Sequence, residues 1–124
     1  MKLFLLLSAL SVLVLSASDC NDKKVSEKYK GKLEIAGICM NYTIRITEGT
    51  IDTAKISASW TDEVTNKNYA NVFRLGSPCD FPSTIKEGDE FYFVIDTAHP
   101  KECAVCMAYY PTPPRSLNIK VVEK

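Results

Sequence analysis

The stretch GKLEIAGICMNYTIRITEG, Gly31 to Gly49, decides the fold. Leu33 and Ile35, then Tyr42, Ile44 and Ile46, fall on alternate positions, with Lys32, Glu34, Thr43, Arg45 and Thr47 between them. Side chains of an extended chain point to opposite faces in turn, so this spacing predicts two half-buried strands, roughly 31–38 and 41–48. Glu48-Gly49 ends the second strand, and Gly37 reads as a bulge or bend near the end of the first.

The same period recurs outward from this hairpin. NVFRLG, residues 71–76, offers Val72, Phe73 and Leu75 to a core. In TIKEGDEFYFVIDT, residues 84–97, Glu87-Gly88-Asp89 makes a tight turn. Phe91, Phe93 and Ile95 then alternate with Tyr92 and Val94, apolar enough on both faces for a central strand. SLNIKVVE, residues 116–123, alternates Leu117, Ile119 and Val121. Cys103 to Tyr110 is β-compatible and is closed by Pro111, Pro113 and Pro114. IDTAKISASW, residues 51–60, reads two ways. Asp52 as a cap favours a helical turn, whereas Ile56, Ala58 and Trp60 also alternate as in a strand. The polar run after it, residues 61–69, is rich in turn formers. Taken together, the pattern predicts an all-β domain: a small five- to seven-stranded antiparallel barrel, OB-like, with at most one short helix and a β-sandwich as the alternative.

The chain opens MKLFLLLSALSVLVLSAS, a lysine, an apolar run to Leu15 and small residues at 16–18. That is the pattern of a secretory signal peptide over residues 1–18, too short for a comfortable membrane span. A polar tether follows over 19–30, and the β domain occupies 31–124. Without its first 18 residues the 124-residue chain keeps 106, enough for one small core. It then has 14 basic and 15 acidic residues, which argues against nucleic acid as a partner. Cys20 is a lipidation candidate, and a membrane enters only through it. Cleavage beside Ala17 or Ser18, leaving an ordinary cysteine, is the alternative. Export would place the protein in the periplasm, outside the cell or lipid-anchored in the envelope.

Five cysteines are present, Cys20, Cys39, Cys79, Cys103 and Cys106. Cys103-x-x-Cys106 lacks the strand-then-helix setting of a thioredoxin-type dithiol. With His99 it could offer three zinc ligands, but an oxidising compartment favours disulfides. Residues three apart on a strand lie about 10 Å apart, beyond the reach of one disulfide. Cys103 and Cys106 should therefore take different partners, with Cys39–Cys106 and Cys79–Cys103 favoured among three possible pairings; a 103–106 bridge needs a turn there.

Hydrolytic chemistry lacks its parts: one histidine, no G-x-S-x-G and no H-E-x-x-H. Asp62-Glu63 and Asp89-Glu90 read as solvated turn residues rather than a glycosidase pair. Asn41-Tyr42-Thr43 matches a glycosylation acceptor. Tyr109, Tyr110, Pro111 and Pro113 are the candidate binding surface, because prolines fix a loop and tyrosines offer amphipathic area at little entropic cost. Trp60, Tyr69 and Phe81 are candidates to extend it.

GKLEIAGICMNYTI, WTDEVTNKNYANVF, GSPCDFPSTIKEGDEFYF and CAVCMAYYPTP together resemble a family of small uncharacterised exported bacterial β-domain proteins, many of them lipoprotein-like. The resemblance spans nearly all of the chain after residue 18. It implies export and a compact disulfide-containing β domain, and it brings no catalytic residues or cofactor. The expectation is a monomeric, non-enzymatic binding or structural module for a protein, glycan or small ligand. A periplasmic or extracellular enzyme inhibitor, or a thiol or metal site at His99, Cys103 and Cys106, are the alternatives.

Overall fold

The computed structural model describes residues 27–98 and 100–124. The signal peptide, Cys20, most of the tether and His99 lie outside the described residues. Seven strands form one sheet: β1 (Tyr29–Gly37), β2 (Asn41–Glu48), β3 (Ser57–Thr61), β4 (Asn68–Leu75), β5 (Glu90–Ile95), β6 (Ser116–Leu117) and β7 (Ile119–Val122). Two short 3-10 turns, Ile38–Met40 and Pro78–Asp80, are the only helical geometry among the described residues. The domain is all-β, and it begins before residue 31, because Tyr29 and Lys30 already lie in β1 and Tyr29 is buried.

The order is β3-β4-β2-β1-β5-β7, with β6 on β4. All pairings are antiparallel except β4 with β6, which is parallel through Arg74–Ser116 and Leu75–Leu117. The parallel pair departs from the purely antiparallel expectation. It arises because the final segment approaches β4 after the long 96–115 connection rather than through a hairpin. That segment then passes Asn118 and runs antiparallel to β5 as β7. The sheet is not a closed ladder.

Period-two burial builds the main core. Leu33, Ile44, Phe73 and Phe93 are completely buried, joined by Tyr29, Ile46, Leu75, Phe91 and Ile119. Phe73 and Phe93 meet at 5.7 Å between centroids, and Tyr29 stacks on Phe93 at 5.6 Å. Glycine at 31 leaves room for this: a Cβ there would meet the Phe93 ring at 3.0 Å.

A register shift between Leu33 and Ile35 changes the plan on β1. Leu33 pairs with Ile44, but Ile35 pairs with Thr43, whose side chain faces the other way from that of Ile44. Ile35, Thr43 and Val72 are buried yet stand apart from the main cluster, a thin second layer on the opposite face. The bulge thus sits at Glu34, not at Gly37.

Residues 51–56 form turns, not a helix. Asp52 Oδ1 accepts from Ala54 N–H and its carbonyl from Lys55 N–H, so the expected cap closes a turn, and β3 begins at Ser57. Cys103 to Tyr110 is also not a strand: it pairs with no neighbour and is exposed through Tyr109. Its prolines do more than stop a strand, since Pro111 and Pro113 are themselves buried.

Candidate functional site

Three segments are brought together by the Cys39–Cys106 bridge and by Tyr110, which meets both Gly37 and Asp62. The first is the β1–β2 turn, residues 38–40, where Cys39 and Met40 take positive φ of 58° and 57°. Non-glycine residues in this left-handed region cost roughly 1–2 kcal/mol each, so other contacts must hold the turn. The Cys39–Cys106 disulfide, with Cα atoms 5.0 Å apart, fastens it to the 101–110 loop. Asn41 clamps both sides, its Nδ2 donating to the Ile38 carbonyl at 2.7 Å and the Ala108 carbonyl at 2.9 Å. The side chain of the glycosylation triplet is thereby engaged in the loop's architecture.

The second segment is the β3–β4 hairpin tip, organised by Asp62. Expected to be solvated, this carboxylate is 1% exposed. It accepts from Val64 N–H (2.9 Å) and the Thr65 hydroxyl (3.2 Å), while its backbone carbonyl takes Asn66 N–H at 2.7 Å. Its burial follows from this satisfaction: a carboxylate leaves water only where donors replace it.

The third segment is the loop itself. The Tyr110 hydroxyl donates to Asp62 Oδ2 at 3.0 Å, and its ring lies against Gly37, where a Cβ would sit 3.0 Å from it. Half-burial, then the hydrogen bond and the charge of Asp62, push the Tyr110 phenol above its ordinary value of 10. The Tyr109 hydroxyl reaches toward Glu63 at 3.5 Å. At the loop's other end Cys79–Cys103 bridges Cα atoms 5.6 Å apart, and Lys101 approaches Asp80. Both CxxC cysteines thus pair with distant partners in the favoured connectivity, although the segment is coil rather than strand. While bonded in this way neither sulfur is a free thiolate that could act as nucleophile or zinc ligand.

The fastened segments carry the exposed apolar surface. Ile38 (59% exposed), Val64 (62%), Val105 (39%), Met107 (95%) and Tyr109 (79%) are the exposed large hydrophobic side chains of the described residues, and all five lie on these three segments. An open hollow of about 530 Å³ beside the loop is lined by Met40, Arg74, Leu75, Val105, Met107 and Tyr109. Of the sequence candidates, only Tyr109 is surface in the intended sense. Tyr110 is a half-buried strut, Pro111 and Pro113 are packed inside, and Phe81 belongs to the core. Trp60 and Tyr69 stack on one another at 6.0 Å on the hairpin, with Lys67 5.2 Å above the Tyr69 ring. Ile38, Val64 and Met107 escaped notice because isolated apolar residues in turns carry no periodic signal.

Two disulfides indicate an oxidising, extracellular-type environment. No helix among the described residues is long and apolar enough to cross a membrane. Comparison with known protein families, curated proteins and solved structures finds no match to this chain.

Proposed function

We propose that this chain is an exported, non-enzymatic binding module of the small bacterial family its sequence resembles, and that its ligand is a protein. Its framework is an OB-like, partly open barrel, a reading supported by the final segment's pairing with both β4 and β5. The observation that carries the function is the gathering of all five exposed large hydrophobic side chains onto three cross-fastened segments. Scattered surface apolar residues need no explanation, but Val105, Met107 and Tyr109 line one hollow on a segment held by two disulfides, which supports an interaction surface. Disulfides and the Asn41 and Tyr110 bonds fix the loop before binding, which reduces the ordering cost of association. Arg74 in the adjoining hollow favours a partner that presents a carboxylate beside an apolar side chain. The signal-peptide pattern supports a periplasmic, secreted or, through Cys20, lipid-anchored location.

The test is photo-cross-linking in the native compartment from position 107, with position 120 on β7 as the control. A specific adduct from 107, lost in a Val105→Asp, Tyr109→Ser variant that retains both disulfides, is the expected result. Equal adducts from both positions, or an adduct that survives the double substitution, would sink the reading.

A further inference from the structure

We infer that the hollow between the end of β2 and the β2–β3 connection is a second binding site, for a neutral sugar that carries an acetamido group. The β2–β4 ladder runs from Thr43–Arg74 to Arg45–Val72 and stops there. Asn71, the next residue back along β4, takes a positive φ of 55°. Where the ladder stops, residues 49–56 close a hollow of about 320 Å³ against Ile46 and Asn71. This hollow and the one beside the 101–110 loop share no lining residue.

Its lining divides into an apolar floor and a polar rim. Ile46, Ile51 and Ile56 are buried and still line it. Thr50, Thr53 and Asn71 are exposed around it, and no hydrogen bond among the described residues engages their side chains. Among the described residues no charged side chain lines it, so an ionic ligand would give up water with nothing in exchange. The volume suits a single ring rather than a chain. A sugar ring supplies hydroxyls for the rim, and its acetamido group sets a methyl on the isoleucines with an amide beside it for the same threonines and asparagine. The wall is formed in advance, which lowers the ordering cost of binding. Gly49 turns it at a φ of 102°, so close to Tyr29 that a Cβ would meet the ring at 2.6 Å. Asp52 then pins the Thr50–Thr53 segment by accepting from Ala54 and Lys55 N–H. Position 71 points the same way. Its left-handed backbone would suit glycine best, yet an asparagine stands there and keeps an amide on the rim.

N-acetylglucosamine titrated into the full, isotope-labelled, disulfide-bonded chain should shift the NMR signals of the Gly49, Thr50, Thr53 and Asn71 amides along a saturating curve. Glucose should bind at least roughly fourfold more weakly, the worth of one buried methyl group. Asn71→Gly fits the positive φ, so it should keep or raise the melting temperature while weakening the sugar about fivefold, the worth of one hydrogen bond. Thr50→Val should weaken it to a similar degree. The Val105→Asp, Tyr109→Ser variant should bind the sugar as the native chain does, which keeps a failure here distinct from a failure of the loop patch. No saturating shift at these amides overturns the inference. So does glucose binding as tightly, an affinity that Asn71→Gly leaves unchanged, or a loss of sugar binding in the loop variant.

Discussion

The sheet interior and the 96–115 connection are held by different physics. Inside the sheet, Leu33, Ile44, Phe73 and Phe93 exclude water by packing, and no polar fastener joins them. In the connection, residues 101–109 are all exposed, and the chain is placed by two disulfides, Asn41 and Tyr110. Packing fixes a fold at the cost of hiding its side chains. Covalent and hydrogen-bonded fasteners leave side chains outside, which is what a contact surface needs.

The sharpest way to break the comparison is to damage each region by its own means. Phe93→Ala removes a fully buried ring touching Tyr29, Phe73 and Phe91, and should cost about 3–5 kcal/mol in chemical denaturation. A domain of this size has little more than that to lose, so partial unfolding at body temperature is the expected accompaniment. A cost below about 1 kcal/mol would show that the interior relaxes freely and is not packed as described.

Removing Cys39–Cys106 by paired serine substitutions comes next, at about 2–4 kcal/mol. It should exceed the loss from removing Cys79–Cys103, because the sequence separation is 67 against 24. In hydrogen exchange the amides of β1, β4 and the body of β2 should keep their protection relative to the global stability, while the Asn41 amide, which closes the Ile38–Met40 turn on the Ile38 carbonyl, loses its own. Uniform loss across both regions would mean that the loop is part of the cooperative core and the division is false.

Thr43→Val tests the thin second layer. Thr43 is completely buried between Ile35 and Arg74 on neighbouring strands, and its hydroxyl has no partner among the described residues. Replacing the hydroxyl with a methyl group of similar size removes an uncompensated polar group, so stability should rise by about 1 kcal/mol. A fall would show that the hydroxyl is bonded.

This layer also marks the boundary of what could be read in advance. Alternation located β1, β2, β5 and the final segment, because burial on one face writes a period of two into the chain. It misassigned Thr43 and the facing of Ile35, because a bulge at Glu34 reverses the parity and no residue type announces it. The Cys39–Cys106 and Cys79–Cys103 pairings hold although the strand argument behind them does not, because residues 103–110 are coil. Asp62 reads as solvent-facing among its polar neighbours, yet its burial depends on Tyr110, 48 positions away. Positive φ at Cys39 and Met40 was invisible for the same reason: distant partners, Cys106 and Ala108, hold it there.

The smallest effect at neutral pH is expected from Tyr110→Phe, which keeps the ring against Gly37 and removes only the bond to Asp62. Its signature lies in alkali. A phenol whose folded value stands above its ordinary value of 10 holds its proton more tightly folded than unfolded. Its contribution is therefore complete below pH 10 and disappears as pH rises through the raised value. Tyr69, raised by burial and by the charges of Glu34, Asp62 and Glu87, acts in the same direction from the hairpin side. The native chain should lose stability above pH 10, and Tyr110→Phe should flatten that loss without abolishing it, since Tyr69 and Tyr29 remain. Stability measured at a series of alkaline pH values decides the matter. Identical alkaline limbs would mean that Tyr110 ionises as freely folded as unfolded, and the strut joining loop to hairpin would then carry no charge-dependent stability.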